Sequence, residues 1–378
     1  MRNTACMAVA LTLLCSAGAA LAQESKAPPS DLGRNAALTY WRAFAAFPEL
    51  TKEESNIVAA YPPGVEPKST PEQRADLAKR LTRALELMHE ASQIPQCNWG
   101  IDYEKEGPDT DLTYLAKSRD LGRAAAFRAR YFWQEGKRKE AAEDLRTAVI
   151  MARQVGNDGH DTLIAVLVQI ANESIVDRSL AVLLTDRESA DVLANALGDL
   201  VNGSAAPLMR NATLTEKKAC LPWVVSVVTQ EMSEPGAAAK RPDVTPEAIR
   251  QWMDELGKQY DEVAAVFDLP FQEFLATRPA LEEKIKASKN PLAGSLLSAL
   301  AGAREEEEKY RVQWAMVRAA IEIRREGKAA LQKVLNPADG KPFVYTALEG
   351  GAFELKSALR IRDKQIAMTF GRAPAKKE

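Results

Sequence analysis

Between Cys97 and Asn157 the chain carries two long helix-forming runs with one glycine between them, and this stretch constrains the fold more than any other. In the first run Leu121, Ala125, Ala129 and Phe132 recur three or four residues apart, with Phe127 and Tyr131 beside them. In the second, Ala141, Leu145, Ala148 and Ala152 do the same. That period gathers each set on one helix face. Gly136 suits the left-handed position that ends a helix, and the short link turns the second helix back antiparallel to the first. The small side chains of Ala129, Ala141 and Ala148 let the two backbones approach closely.

This hairpin resembles a tetratricopeptide repeat, a helix–turn–helix unit of about 34 residues. The resemblance rests on Ala129 at the first small position, Phe132 at the aromatic one and Gly136 at the turn, then Ala141, Leu145 and Ala148. It covers Ala125 to Gln154; Ala125 stands where the family carries tryptophan, and no proline closes the unit. It implies helical-pair packing. A continuous core in such an array takes about three units.

The rest of the chain reads as further helices. Asp31 is placed to cap one through Phe47, and Leu50 to Ala60 is a short second one. Thr70-Pro71-Glu72 and Thr245-Pro246-Glu247 each pair a cap with proline at the first helical position. They open helices to about Ser92 and Phe267. Leu163 to Leu184 is the most apolar run, but Asn172, Glu173, Asp177 and Arg178 interrupt it, so it reads as core helix rather than membrane span. Thr185 to Glu188 matches a capping box. A helix from Leu208 to Met232 carries Pro222, and prolines 270, 279 and 291 punctuate three shorter segments. The acidic run Glu305 to Glu308 reads as a solvated helical face.

The N-terminus, MRNTACMAVALTLLCSAGAALAQ, has a basic start, a short apolar run and Ala20-Leu21-Ala22 before Gln23. This is the pattern of a secretory signal peptide over residues 1–22, and it predicts a periplasmic or extracellular protein. Export permits a disulfide between the remaining cysteines, Cys97 and Cys220, but two distant cysteines are equally compatible with buried thiols. Fifty basic against 52 acidic residues leave a formal charge of −2, which gives no electrostatic footprint for nucleic acid.

Residues 233–244 (SEPGAAAKRPDV) read as a linker between a helical-pair domain over 23–232 and a helical region over 245–335. Residues 336–357 change character. Asp339-Gly340, Pro342 and Gly350-Gly351 are turn signals, and Phe343, Val344 and Tyr345 oppose Phe353 and Leu355 as strand material. This β-hairpin resembles the C-terminal hairpin of type II secretion pseudopilins and the endings of exported bacterial helical proteins. The resemblance implies a hairpin shape and no activity or metal site. Residues 358–378 read as a tail.

No residue pattern amounts to a catalytic signature, a metal site or a cofactor site. HExxH, a P-loop, GxGxxG and a GxSxG elbow are all missing from the sequence, and no cysteine pair has zinc spacing. The two histidines, His89 and His160, read as surface or core residues. The densest polar-aromatic cluster is the loop from Cys97 to Glu104. Its Trp99 and Tyr103 are suited to stacking on a sugar or peptide, and Asp102 and Glu104 to an acid–base pair of the glycoside-hydrolase kind. Against that, Trp99 and Tyr103 also suit pinning the loop onto the hairpin, with Asp102 in ion-pair reach of Arg119. Trp99, Asp102, Tyr103, Glu104 and Arg119 are the candidate binding residues. The predicted fold is all-α, antiparallel helical pairs in a solenoid-like array with a small C-terminal β-hairpin. The predicted function is non-catalytic binding or scaffolding of a protein or peptide. The alternative is a glycan- or cell-wall-active hydrolase.

Overall fold

The computed structural model describes residues 35–59, 69–107, 110–156, 162–202, 207–233, 245–290, 293 and 300–371. The expected signal peptide, most of the expected linker (234–244), His160 and the end of the tail lie outside these residues.

Several helices begin where a cap side chain satisfies a free N–H group. α1 (Ala36–Ala45) is capped by Asn35, whose side chain accepts from the Ala37 N–H; the expected cap, Asp31, lies outside the described residues. α2 spans Lys52–Ala59. α3 (Pro71–Ser92) starts as expected at Thr70-Pro71, with Gln73 closing a capping box. A single turn, α4 (Tyr103–Glu106), precedes α5 (Thr113–Gln134) and α6 (Arg138–Gly156). α7 (Leu163–Leu183) and α8 (Arg187–Leu197) follow. The box read at Thr185–Glu188 sits one residue further on, with Asp186 as cap and Ser189 as its partner.

α9 (Leu208–Ser233) contains Pro222. α10 (Pro246–Phe267) is capped by Thr245, as expected. α11 (Phe271–Lys286) runs straight through Pro279, so that proline does not divide two segments. α12 (Leu300–Glu326) completes the helices.

α5 and α6 form the antiparallel hairpin. Gly136 adopts φ +77°, and the Lys137 N–H reaches back to the Phe132 carbonyl at 2.8 Å, which closes the helix end. Ala129, Ala141 and Ala148 are buried between the helices. Arg128 and Asp144 meet inside the hairpin in a two-pronged pair at 2.9 and 2.7 Å, a geometry that suits a buried guanidinium and carboxylate.

α7 is buried on most of its sides because it is surrounded. α5, α6, α9 and α12 pack on it, as does the C-terminal sheet. One core runs from Ala36 to Phe370, so the helices on either side of the expected linker do not form separate cores. The described residues thus form an all-α array closed by the return of α12. None of their helices is long and apolar enough to cross a membrane.

The acidic run is the clearest departure from expectation. Glu305, Glu307 and Glu308 are buried rather than solvated, together with Arg304. Each has a specific partner. Glu307 accepts the Leu208 N–H at 2.7 Å, at the start of α9. Glu308 takes Arg304 at 3.0 Å, and Glu305 takes both Arg278 and Arg362. Burial of this stretch is tolerated because the charges arrive paired.

β1 (Val344–Ala347) pairs antiparallel with β2 (Phe353–Ile361), Tyr345 opposite Leu355. The sheet continues past the expected limit at 357. β2 turns at Arg362-Asp363 into β3 (Lys364–Phe370), so the expected tail is a strand pair as far as Phe370. Both turn residues take positive φ, +49° and +63°, a conformation normally announced by Asn-Gly or Asp-Gly. Arg324 on α12 fastens the sheet. Its guanidinium donates to the carbonyls of Leu184, Gly351 and Phe370 and lies 4.7 Å over the Phe353 ring.

Since Ala141 has no exposed surface, Ala141→Trp is expected to overpack the hairpin and cost about 1–3 kcal/mol. Urea unfolding followed by circular dichroism measures this; an unchanged midpoint would remove Ala141 from the interface.

Candidate functional site

The loop after α3 is built around two asparagines and one tryptophan. The Asn35 side chain donates to the Asn98 carbonyl at 2.7 Å and accepts the Asn98 N–H at 2.8 Å. Gly100, at φ +73°, brings its N–H onto the Asn98 side chain at 2.7 Å. These bonds turn Trp99 inward.

Trp99 is only 8% exposed. Its ring stacks on Tyr114 of α5 at 4.4 Å and lies within about 20° of parallel to Tyr40 and Phe44 of α1. Trp41 meets it edge-on at 6.5 Å. The indole N–H donates to the Gln154 carbonyl at 3.3 Å. Gln154 also accepts from the Tyr40 hydroxyl at 2.5 Å and donates to the Ile94 carbonyl at 2.7 Å. Burial, and secondarily Cys97, pushes the Tyr40 phenol well above its usual range, so the hydroxyl keeps its proton. Trp99 therefore joins α1, α5 and α6.

The other candidates do not gather around it. Asp102 is exposed, and its side chain accepts the Lys105 N–H at 3.2 Å, holding the turn of α4. Tyr103 and Glu104 lie in that turn, and their side chains lie outside the described residues. Arg119 is exposed on α5. Among the described residues no ion pair joins it to Asp102, contrary to expectation, because Asp102 is committed to its own turn. The basic residues of α5 that do pair are Arg123, with Asp120 at 3.2 Å, and the buried Arg128, with Asp144.

His89 lies at the surface, its Nδ1 3.3 Å from both Thr147 Oγ1 and Glu143. Cys97 and Cys220 are not joined in a disulfide. Burial pushes Cys220 up to about 11, which makes it an inert thiol rather than a nucleophile. Among the described residues no group of three or more His, Cys, Asp or Glu side chains is placed to hold a metal. Glu247, Arg250, Asp254 and Lys258 line an open depression along α10 alone, a mixed-charge helix face without a second wall.

Sequence reading missed two features. The first is the outer face of α1, where Leu38 is 51% and Trp41 40% exposed, one turn apart. The aromatic content of α1 was visible, but which rings point outward was not. The second is the buried polar set on α7. Glu173 has no exposed surface. It takes Arg153 at 3.3 Å through both oxygens, Gln169 at 3.0 Å and the Tyr310 hydroxyl at 3.0 Å. Asp177, one turn on, is equally buried, and neither of its oxygens has a hydrogen-bond partner. These residues were visible as interruptions of an apolar run; their partners come from distant sequence.

Trp99→Ala is expected to destabilise the protein by about 3–5 kcal/mol, as for a buried aromatic. Asp102→Asn is expected to cost less than about 1 kcal/mol, as for a surface change. Parallel denaturant titrations test both, and equal effects would refute the division of roles.

No family model, curated protein or solved structure matches this chain.

Proposed function

We propose that this is an exported, non-catalytic binding or scaffolding protein whose ligand is a protein or peptide. The observation that carries the reading is the outward face of α1. Trp41 presents its indole to solvent with Leu38 one turn away, while its inner edge rests on Trp99. An exposed tryptophan on a rigid aromatic base has the character of an interface anchor, because little side-chain freedom is lost when a partner covers it. Helical arrays offer such faces to extended or helical ligands.

Hydrolysis by the Trp99 loop has no comparable support. A sugar would need a free face of Trp99, and Tyr114, Tyr40 and Phe44 surround that ring. Export rests on the sequence pattern of residues 1–22.

Selection from a random peptide library on the mature protein is expected to enrich apolar or aromatic sequences. Trp41→Ser should weaken their binding at least tenfold, with an unchanged circular-dichroism spectrum. Enriched peptides that bind the variant equally well would overturn the assignment of this face. Mass spectrometry of native material should find Gln23 as the first residue, and an intact Met1 would overturn export.

A further inference from the structure

The polar interior of α7 is not used by the proposed binding face, and it poses a separate physical problem. Glu173 and Asp177 lie four residues apart on one side of a helix, and neither is exposed. Glu173 has gathered the donors: Arg153 from α6, Tyr310 from α12 and Gln169 from its own helix. Asp177 has none. A carboxylate so poorly supplied with donors in an apolar interior cannot keep its charge cheaply, and a second carboxylate one turn away makes it harder.

The charges around Asp177 do not rescue it. On α7 itself, Arg178 is exposed and bonds the Ser174 carbonyl. On α12, Lys309 pairs with Glu306 at 3.1 Å. α6 brings Arg153, already held by Glu173. α5 brings the Ser118 hydroxyl, which bonds Asn172. α9 brings Glu216, bound to the Leu163 N–H at the other end of α7, about 20 Å away at 1.5 Å per residue. The one charged side chain of β3, Lys364, is exposed.

We propose that the Glu173–Asp177 pair is a pH-sensitive latch, in which loss of the Asp177 proton beside Glu173 loosens the packing of α7 against α12. The desolvation is large enough to matter. Burial first, with Glu173 adding to it, pushes Asp177 up to about 8, against the opposing pull of Arg178 and Lys309.

The direction of the effect follows from proton counting. From about pH 4 to about pH 8 the closed state holds a proton that the open state has released, so closure weakens as pH rises and levels off above that window. The contribution of this pair to closure is therefore greatest in acid and least in mild alkali. The latch lies where the central helix meets the returning C-terminal helix, so its release reaches both ends of the chain.

Hydrogen exchange on the full mature chain, corrected for intrinsic rates, tests this between pH 5 and 7.5. Protection in α7 and α12 is expected to fall about tenfold per pH unit, with a smaller loss in α3. Asp177→Asn should abolish the dependence, and Asp177→Leu serves if that variant does not fold. Carbon NMR of aspartate-labelled wild-type protein should show one carboxyl still protonated at pH 7. Parallel profiles in wild type and variant, a loss uniform over all helices, or every aspartate ionised by pH 7 would each overturn the latch.

Discussion

The fold depends on one buried charge. Glu173 lies inside the central helix, where an unpaired carboxylate would be strongly destabilising, so three elements must supply its partners at once. Arg153 comes from the hairpin, Gln169 from α7 itself and Tyr310 from a helix 137 residues away in sequence. The bonds from Arg153 and Tyr310 tie α6 and α12 to the same carboxylate. The same device recurs at helix starts. Glu307 holds the first N–H of α9 and Glu216 the first N–H of α7, so carboxylates from one helix complete the end of another. Glu307 is buried and Glu216 half-buried, and this enclosure raises the pKa of both.

Aromatic packing performs the corresponding task at the N-terminal end. Trp99 could have been a ligand platform or a pin, and the two roles are chemically similar up to the point where the ring faces are filled. Here they are filled by Tyr114, Tyr40 and Phe44. What remains accessible is Trp41, the neighbour that meets Trp99 edge-on. The two adjacent indoles thus differ in kind: one is sealed into the core, the other open to solvent.

Local features were legible in the sequence, and features that depend on distant partners were not. The α5–α6 hairpin follows from its three-to-four-residue period and Gly136, and the starts of α3 and α10 from Thr-Pro pairs. These signals lie within a few residues of what they determine. The acidic run of α12 looked solvated because charge normally marks a surface, and nothing near it reveals that Arg278, Arg362 and the start of α9 will meet it. β3 was missed because Arg362-Asp363 adopts positive φ without glycine, so the alternation of Ile366, Met368 and Phe370 had no turn signal before it. At the candidate loop, residue types suggested a site, but the Asn35–Asn98 bonds that turn Trp99 inward span 63 positions.

The return of α12 also bears on how the chain acquires its structure. The hairpin can form from neighbouring residues alone, yet α7 cannot complete its surroundings until Tyr310 and Arg324 have joined it. Contacts that close loops of more than a hundred residues form slowly, because most of the chain's freedom is lost before they are gained. The N-terminal helices must therefore wait, partly uncovered, for the last third of the polypeptide. A chain released from the ribosome without α12 and the sheet would hold the buried acid of its central helix without its tyrosine, and would expose the apolar side that α12 covers. Completeness of synthesis is in this sense checked by the core itself.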